Sequence, residues 1–309
     1  MSDMHIHSSA ICEGASIGAG SRIHAFAHLM SATRVGRDCS IGAHVTVGSG
    51  AILGNGVIVE AGGQVGEKVR LEDDVLIGAS AILCHERAAP AGPAAAGTLV
   101  RTAAVIGANA TVLPGLTIGS RARVAPGAVV TRSVPPNAIV TGNPAQIVGY
   151  VDTADRQRED NSAGETGIRT TSVRGVNLHR MRSVEDMRGN LSVGELGRDV
   201  PFEVKRYFLV YDVPNIEIRG EHAHLRCHQF LIAVKGMLHV VADDGRRREE
   251  IVLDRASLGL HLPPMTWGIQ YRYSADAVLL VLASEHYESS DYVRDYDRFL
   301  ELVDHNPQA

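Results

Sequence analysis

The sequence predicts an all-β chain built from two unlike parts. The first half reads as a β-solenoid, the second as a barrel or sandwich of short strands closed by a terminal helix. Three observations predict this. Aliphatic residues recur at every sixth position as far as Val130, the recurrence stops at a polar stretch over 152–175, and strand-length apolar runs joined by turn signals follow it.

The six-residue period starts at Ile11 and continues through Ile17, Ile23, Leu29, Val35, Ile41, Val47, Leu53, Val59, Val65, Leu71, Ile77 and Leu83. It resumes at Val100 and runs through Ile106, Val112, Ile118, Val124 and Val130. Glycine follows many of these stops, as after Val35, Ile41, Val47, Leu53, Val65, Ile77, Ile106 and Ile118. A period of six belongs neither to a strand nor to a helix. It suits a solenoid of short flat faces, with one aliphatic side chain pointing inward per face and a small residue easing each corner. A β-sandwich is the alternative, but it has no reason to hold one period for so long.

Between Leu83 and Val100 the step is seventeen residues, so "CHERAAPAGPAAAGT" carries an inserted loop, a candidate functional element in an otherwise regular solenoid. The segment 152–175 is polar, charged and aperiodic and reads as a linker between a domain at 1–151 and another at 176–309. The second domain shows "KRYFLVYDV", "HQFLIAVKG", "MLHVVADD", "REEIVLD" and "AVLLVLAS" as strands. "DYVRDYDRFLELVDHN" has helical apolar spacing and ends it.

A length of 309 residues favours two domains, and 45% hydrophobic residues suffice for two cores. A net charge of −5 argues against nucleic acid or an anionic membrane as partner. The N-terminus "MSDMHIHSSA" lacks the pattern of a signal peptide, and "AVLLVLAS" is too short to span a bilayer. Four scattered cysteines, Cys12, Cys39, Cys84 and Cys227, point to reduced thiols and a cytoplasmic location.

The densest chemistry lies in "RGEHAHLRCHQ", residues 219–229. His222 and His224 are one residue apart in a strand, so both point to one face. Two imidazoles in a half-buried pocket suit proton transfer near neutral pH. His228 has the spacing to share that face but follows a charged segment and reads as structural.

"LEDDVLIGASAIL", "IGANATVLPGLTIG" and the closing "VPPNAIVTGNPAQIVGYV" resemble the hexapeptide-repeat acyltransferases, specifically those acting on amino groups of nucleotide-linked sugars, over about residues 5–152. The resemblance implies a left-handed parallel β-helix, a trimer with active sites between subunits, and acetyl-CoA as co-substrate. The CoA would be held near Ala125, Gly127, Asn143, Pro144 and Ala145. Glu72 and Asp73 become candidate sugar contacts. This chain has Ala61-Gly62 and Cys84-His85 where family members often carry paired asparagines and a Thr-Asn pair. His85 is then a candidate base or amine orienter. A hexapeptide-type carbonic anhydrase with zinc on His24, His28 and His44 is the rival, but the inserted loop and the "GNPA" tail favour acyl-CoA.

In the second half, His222, His224, Gln229 and Gly236 fall on the cupin pattern H-x-H, acid, glycine. Gln229 stands where a metal cupin has a carboxylate, and Trp267 about where it has a further histidine, so no metal is expected. "MRGNLSV", "PFEVKRYFLVYDVPN", "RGEHAH", "LDRASLGLHLPPMTW" and "VLLVLASEHYESSDYVRDYDRFL" resemble the sugar 3,4-ketoisomerases, which convert dTDP-4-keto-6-deoxyglucose to its 3-keto isomer. The resemblance implies His224 as base and His222 as its partner or acid. It also implies Arg188 and Arg219 on the diphosphate or enolate, Gln229 on sugar oxygens, and Trp267 against the sugar or base, with a core tryptophan as the alternative. Acyltransferase first and ketoisomerase second is the arrangement of the WxcM-like bifunctional proteins. It implies a cupin pairing that turns trimers into hexamers and a separate PLP aminotransferase acting between the two steps. The alternatives are a non-catalytic nucleotide-sugar-binding scaffold, or a cupin 3,5-epimerase fused to an acyltransferase.

Overall fold

The computed structural model describes residues 4–84, 97–154, 166–187, 189–214 and 217–305. It divides into two compact units, Met1–Val151 and Asp152–Ala309.

The first unit is a parallel β-solenoid. Two-residue strands stack into three sheets, each strand pairing with the one a full coil away. Ile23 thus pairs with Ile41, Ile41 with Val59 and Val59 with Ile77, eighteen residues at a time. At the excursion Leu71 pairs with Val100, twenty-nine residues on, and the phase is regained without disturbing the stack. From Ile23 onward the periodic aliphatic residues are buried. A second inward position lies four residues after many of them and takes small or slim side chains: Ala27, Thr33, Cys39, Val45, Ala51, Val57, Val69, Val75 and Ala81.

The glycines after the aliphatic stops serve close packing, not the corners. A Cβ on Gly42 would lie 2.7 Å from the backbone nitrogen of Ala61, and one on Gly78 2.6 Å from that of Ala108. The corners turn two residues further on, where the backbone is left-handed whether or not the residue is glycine: Gly20, Phe26, Ala32, Asp38, His44, Gly50 and Gly56 all have positive φ. Such a φ costs a non-glycine residue about 1 kcal/mol. The coil stack compensates by bonding each corner N–H to the coil before it, as His44 to Ala25 and Asp74 to Asn55. The solenoid ends where Ala138–Thr141 turns back on Gln146–Tyr150 through Asn143 and Pro144.

The second unit has two six-stranded sheets facing one another, and a two-stranded ribbon of Arg182–Asp186 and Gly189–Val193. Leu231, Ala233, Leu260 and Val281 from one sheet meet Val240, Ala242, Ile251 and Leu253 from the other in the main core. The Gln229–Lys235 strand sends its alternate residues Phe230 and Ile232 outward into a smaller core with Met181 and Val200. Phe230 crosses over Gly259, whose missing side chain makes room for the ring. The helix Tyr296–His305 packs Phe299 and Val303 inward, and Asp295 caps it by accepting the Arg298 N–H at 2.8 Å.

The expectation of a linker over 152–175 needs correction at its ends. Thr153–Ala154 pairs with the Arg248–Leu253 strand, and Gly167–Thr170 pairs with Asn177–Arg180 as an edge of the other sheet. Buried Glu249 anchors this entry, accepting from Ser172 N–H at 2.6 Å and from Arg169 at 3.3 Å, while Val173 enters the core. Charge in this segment therefore marks a tether as well as solvation.

Candidate functional site

The strand Arg219–His224 carries the histidine pair into the barrel mouth. It pairs with Trp267–Tyr271, but the register slips at Glu221, which is left unpaired with φ of 53°. This bulge keeps Arg219 and His222 on one face despite their odd spacing, because they lie opposite Gln270 and Gly268. Gly268 places no side chain beside the His222 ring.

His224 is the best-organised group. Its Nδ1–H donates to Asp291 Oδ2 at 2.8 Å, and its Nε2 faces the Gln229 amide nitrogen at 3.1 Å. The assignment is self-consistent: with the proton on Nδ1, Nε2 keeps a lone pair for the amide to bind. Asp291 is itself held by the 225–228 turn. Its Oδ1 accepts the Arg226 N–H at 2.8 Å and its Oδ2 the Cys227 N–H at 3.3 Å. His222 donates from Nδ1 to the Gly220 carbonyl at 2.9 Å, and the two imidazoles meet edge-on at 5.0 Å.

Burial keeps both rings neutral. Desolvation holds His222 down at about 4, against weaker support from the Gly220 carbonyl. Desolvation also lowers His224; Asp291 opposes the shift, and the nearby Arg206 and Arg294 add to it. Two neutral imidazoles with lone pairs on Nε2 are proton acceptors at neutral pH.

The other sheet supplies a cation. Arg206 lies opposite Ala283, which lies opposite Gln229, so all three share the inner face. An Arg206 Nη2–H donates to the Tyr292 hydroxyl at 3.3 Å, and Arg206 Nε is buried without a partner. The Tyr292 ring lies 4.3 Å from His224 and 4.9 Å from His222, with the Arg294 guanidinium 4.4 Å from its centroid.

Of the residues read from the sequence, His222, His224 and Gln229 come together here, and Arg219 stands on the same strand at its exposed outer end. Arg188 and His85 lie outside the described residues. Trp267 is elsewhere: it is 5% exposed and packs on Tyr296 and Phe299 of the terminal helix, since the neighbour of Gly268 must face the opposite side of the sheet. His228 is also elsewhere. The turn at 225–228 breaks the strand alternation, and His228 stacks on His261 outside the barrel, with Nδ1 and Nε2 3.0 Å apart. Asp291, Tyr292, Arg206 and Arg294 carried no assignment from sequence, although the first two and Arg294 stand in "SSDYVR".

In the solenoid, Glu72 accepts from the Thr102 N–H at 3.0 Å and its hydroxyl at 3.1 Å. Asp73 accepts the Asn55 N–H at 2.7 Å. Both carboxylates thus tie neighbouring coils together. Ala145 donates its N–H to the Val129 carbonyl, and the Val129 N–H donates to Gly142. This pins the exposed Asn143-Pro144 turn to the strand that follows the exposed Gly127 corner, with Ala125 one residue before that corner's proline. Of the rival histidines, His28 pairs with Glu13 at 2.7 Å and His44 stacks on Phe26 at 5.0 Å.

Comparison with known proteins matches residues 174–304 to the family described as FdtA: WxcM-like, C-terminal. Residues 14–49 match the bacterial transferase hexapeptide (six repeats), and 104–132 the hexapeptide repeat of succinyl-transferase. A TDP-4-oxo-6-deoxy-alpha-D-glucose-3,4-oxoisomerase of Aneurinibacillus thermoaerophilus is 37% identical over 122 residues, 40% of this chain and 88% of the relative. A dTDP-3-amino-3,6-dideoxy-alpha-D-galactopyranose 3-N-acetyltransferase of the same organism is 43% identical over 54 residues, 18% of this chain and 28% of the relative. The solenoid match thus spans less than a third of that relative. Among solved structures, a 3,4-ketoisomerase from Helicobacter canadensis is 37% identical over 42% of this chain and 98% of its own, with a TM-score of 0.41. With this C-terminal domain standing behind hexapeptide repeats, the chain belongs to the WxcM-like family.

Proposed function

We propose that the second unit is a 3,4-ketoisomerase of a dTDP-linked 4-keto-6-deoxyglucose, and that the solenoid acetylates the 3-amino group of a dTDP-3-amino-3,6-dideoxyhexose with acetyl-CoA. One observation carries the isomerase reading: His224 is fixed by Asp291 at one nitrogen and keeps a lone pair at the other, beside a second neutral imidazole.

Moving a ketone from C4 to C3 requires removal of the C3 proton, which is acidic because it is α to the carbonyl. His224 Nε2 accepts that proton once the sugar has displaced the Gln229 amide, and Asp291 stabilises the imidazolium that forms. The enediolate oxygen is met by Arg206, whose unpartnered Nε lies on the inner face, and Gln229 turns to a sugar oxygen. His222 Nε2 takes the 3-hydroxyl proton and passes it to O4, while the Tyr292 hydroxyl protonates C4 and is reprotonated by the His224 imidazolium, which restores every group. Every step is proton transfer, so neither a resident metal nor a redox cofactor is called for.

The 3-keto product suits transamination, and the amine so formed suits acetylation, so a separate PLP aminotransferase acts between the two units. An ordinary sugar amine is partly neutral near pH 7, so positioning against the thioester supplies much of the rate. The solenoid works as a trimer, with CoA between subunits along Ala125, Gly127 and Asn143–Ala145. A monomer by sedimentation would refute that assembly.

Incubation with dTDP-4-keto-6-deoxyglucose in deuterated water tests the isomerase. The expected result is a 3-keto product with deuterium at C4. Exchange at C5 would indicate an epimerase, and no exchange above the buffer control would leave only binding.

A further inference from the structure

Cys227 has no part in the proton transfer just described, yet it sits against its centre. One ring nitrogen of His224, the Cys227 sulfur and an Asp291 carboxylate oxygen lie within 4.8 Å of one another, and all three residues are buried. We propose that this triad binds a borderline divalent cation, zinc foremost, and that the bound ion switches the isomerase off. The inhibition rests on the reading of His224 as base; the binding does not.

The donor set selects the ion. Thiolate, imidazole and carboxylate are together a zinc set, with bonds of about 2.0–2.3 Å. Donors of a tetrahedral site then stand about 3.3–3.7 Å apart. His224 Nδ1 and Asp291 Oδ2 now share a hydrogen bond at 2.8 Å, so the ion replaces that proton, spreads the two donors by about half an ångström and draws the Cys227 sulfur toward them. Magnesium and calcium, which prefer oxygen, gain little from a sulfur and a nitrogen. Arg226 N–H stays on Asp291 Oδ1, so Oδ2, held otherwise by His224 and a long 3.3 Å bond from the Cys227 N–H, is the oxygen offered to the ion.

The proton balance is simple. The Cys227 thiol, now donating to the His228 carbonyl at 3.3 Å, loses its proton to solvent as the sulfur–zinc bond forms. If Nε2 of His224 coordinates, its lone pair is consumed. If Nδ1 coordinates, its proton moves to Nε2. Either way the lone pair that accepts the C3 proton is gone. Thiolate and carboxylate together neutralise the ion, which makes a buried position tolerable.

Cobalt(II) and zinc titrations of the full chain test this, with Cys227→Ser and Cys227→Ala as variants. The wild type should give a near-ultraviolet thiolate-to-cobalt band that both variants lack, although Cys12, Cys39 and Cys84 remain in them. Zinc affinity by calorimetry should fall at least about 10-fold in both variants, the smallest loss seen even for an outer-shell partner. Zinc should stop sugar isomerisation by the wild type and spare Cys227→Ser, while magnesium affects neither. A cobalt–thiolate band that survives in both variants overturns the site. Equal zinc inhibition of wild type and folded variants overturns the switch. Cobalt binding through Cys227 in a protein that isomerises no sugar would retain the site and refute the isomerase reading instead.

Discussion

Asp291 Oδ2 lies 2.8 Å from His224 Nδ1, with both side chains sealed from solvent. The carboxylate fixes the tautomer of the proposed base and faces the charge that the ring acquires. Asp291→Asn replaces an acceptor by an amide that can donate, so Nδ1 must become the acceptor and Nε2 takes the proton. The isomerisation kcat should fall on the order of 10²–10⁴-fold with the fold retained. Steady-state kinetics beside a circular dichroism spectrum checks this; a loss under tenfold would mean that the dyad does not orient the base.

Gln229 marks the difference between this pocket and a carboxylate-bearing one. Gln229→Glu would place an acceptor against His224 Nε2 and favour the imidazolium. Activity should drop steeply at neutral pH and recover partly as pH rises, since deprotonation of the ring restores the lone pair. A pH–rate profile unshifted from wild type would contradict the assignment of Nε2 as the reacting atom.

Trp267 supports the helix, not the substrate. Trp267→Ala removes a ring packed on Tyr296 and Phe299 and should cost about 3–5 kcal/mol of stability. The KM for the keto sugar should stay within a few-fold wherever the variant remains folded. Denaturant unfolding and KM measured on one preparation separate the two effects.

Five histidines of the second unit, His179, His222, His224, His228 and His261, are pushed below their ordinary value, burial being the first cause for each. For His222 and His261 the value is about 4. In the unfolded chain each titrates near 6.5. Between these limits the unfolded state binds more protons, so stability is full above about pH 6.5 and drains as pH falls toward 4. Each group contributes a slope of up to about 1.4 kcal/mol per pH unit. Melting temperatures from pH 7.5 to 4 should show the decline, and His261→Phe should make it shallower.

Periodicity was legible wherever one residue alone decides an orientation. The aliphatic stops face inward because each begins a flat face, and His222 and His224 share a face because one strand residue separates them. The left-handed corners were not legible, since Phe26, Ala32 and His44 adopt that conformation under the constraint of neighbouring coils and not by local preference. His228, read as structural, lies off the face its even spacing would allow because a turn intervenes, and stacks on His261 instead. The parity argument missed Asp291 because the two halves of the dyad are 67 residues apart and meet only through the pairing of Ala223 with Val293 and His224 with Tyr292. Trp267 stayed undecided between substrate contact and core because an apolar aromatic next to a site motif reads the same on either side of a sheet.

The proposed activities should be separable by mutation and by truncation. His224→Asn keeps a polar side chain of similar bulk but has no basic nitrogen at neutral pH, so isomerisation should be lost by orders of magnitude. Acetyl transfer to the 3-amino sugar should be unchanged, because His222, His224, Gln229, Arg206 and Asp291 all belong to the second unit. His85→Ala should do the reverse, slowing acyl transfer modestly and sparing isomerisation. Truncation must respect the sheet boundaries. Val151 N–H closes the solenoid on the Asn137 carbonyl, whereas Thr153 already pairs with Arg248 of the second unit. A chain ending at Asp152 should therefore be soluble and acetyl-CoA-dependent. Scoring each variant in both assays checks the scheme: loss of acyl transfer in a folded His224→Asn protein of wild-type assembly state would show that the sites are coupled, and the two-unit account would fail.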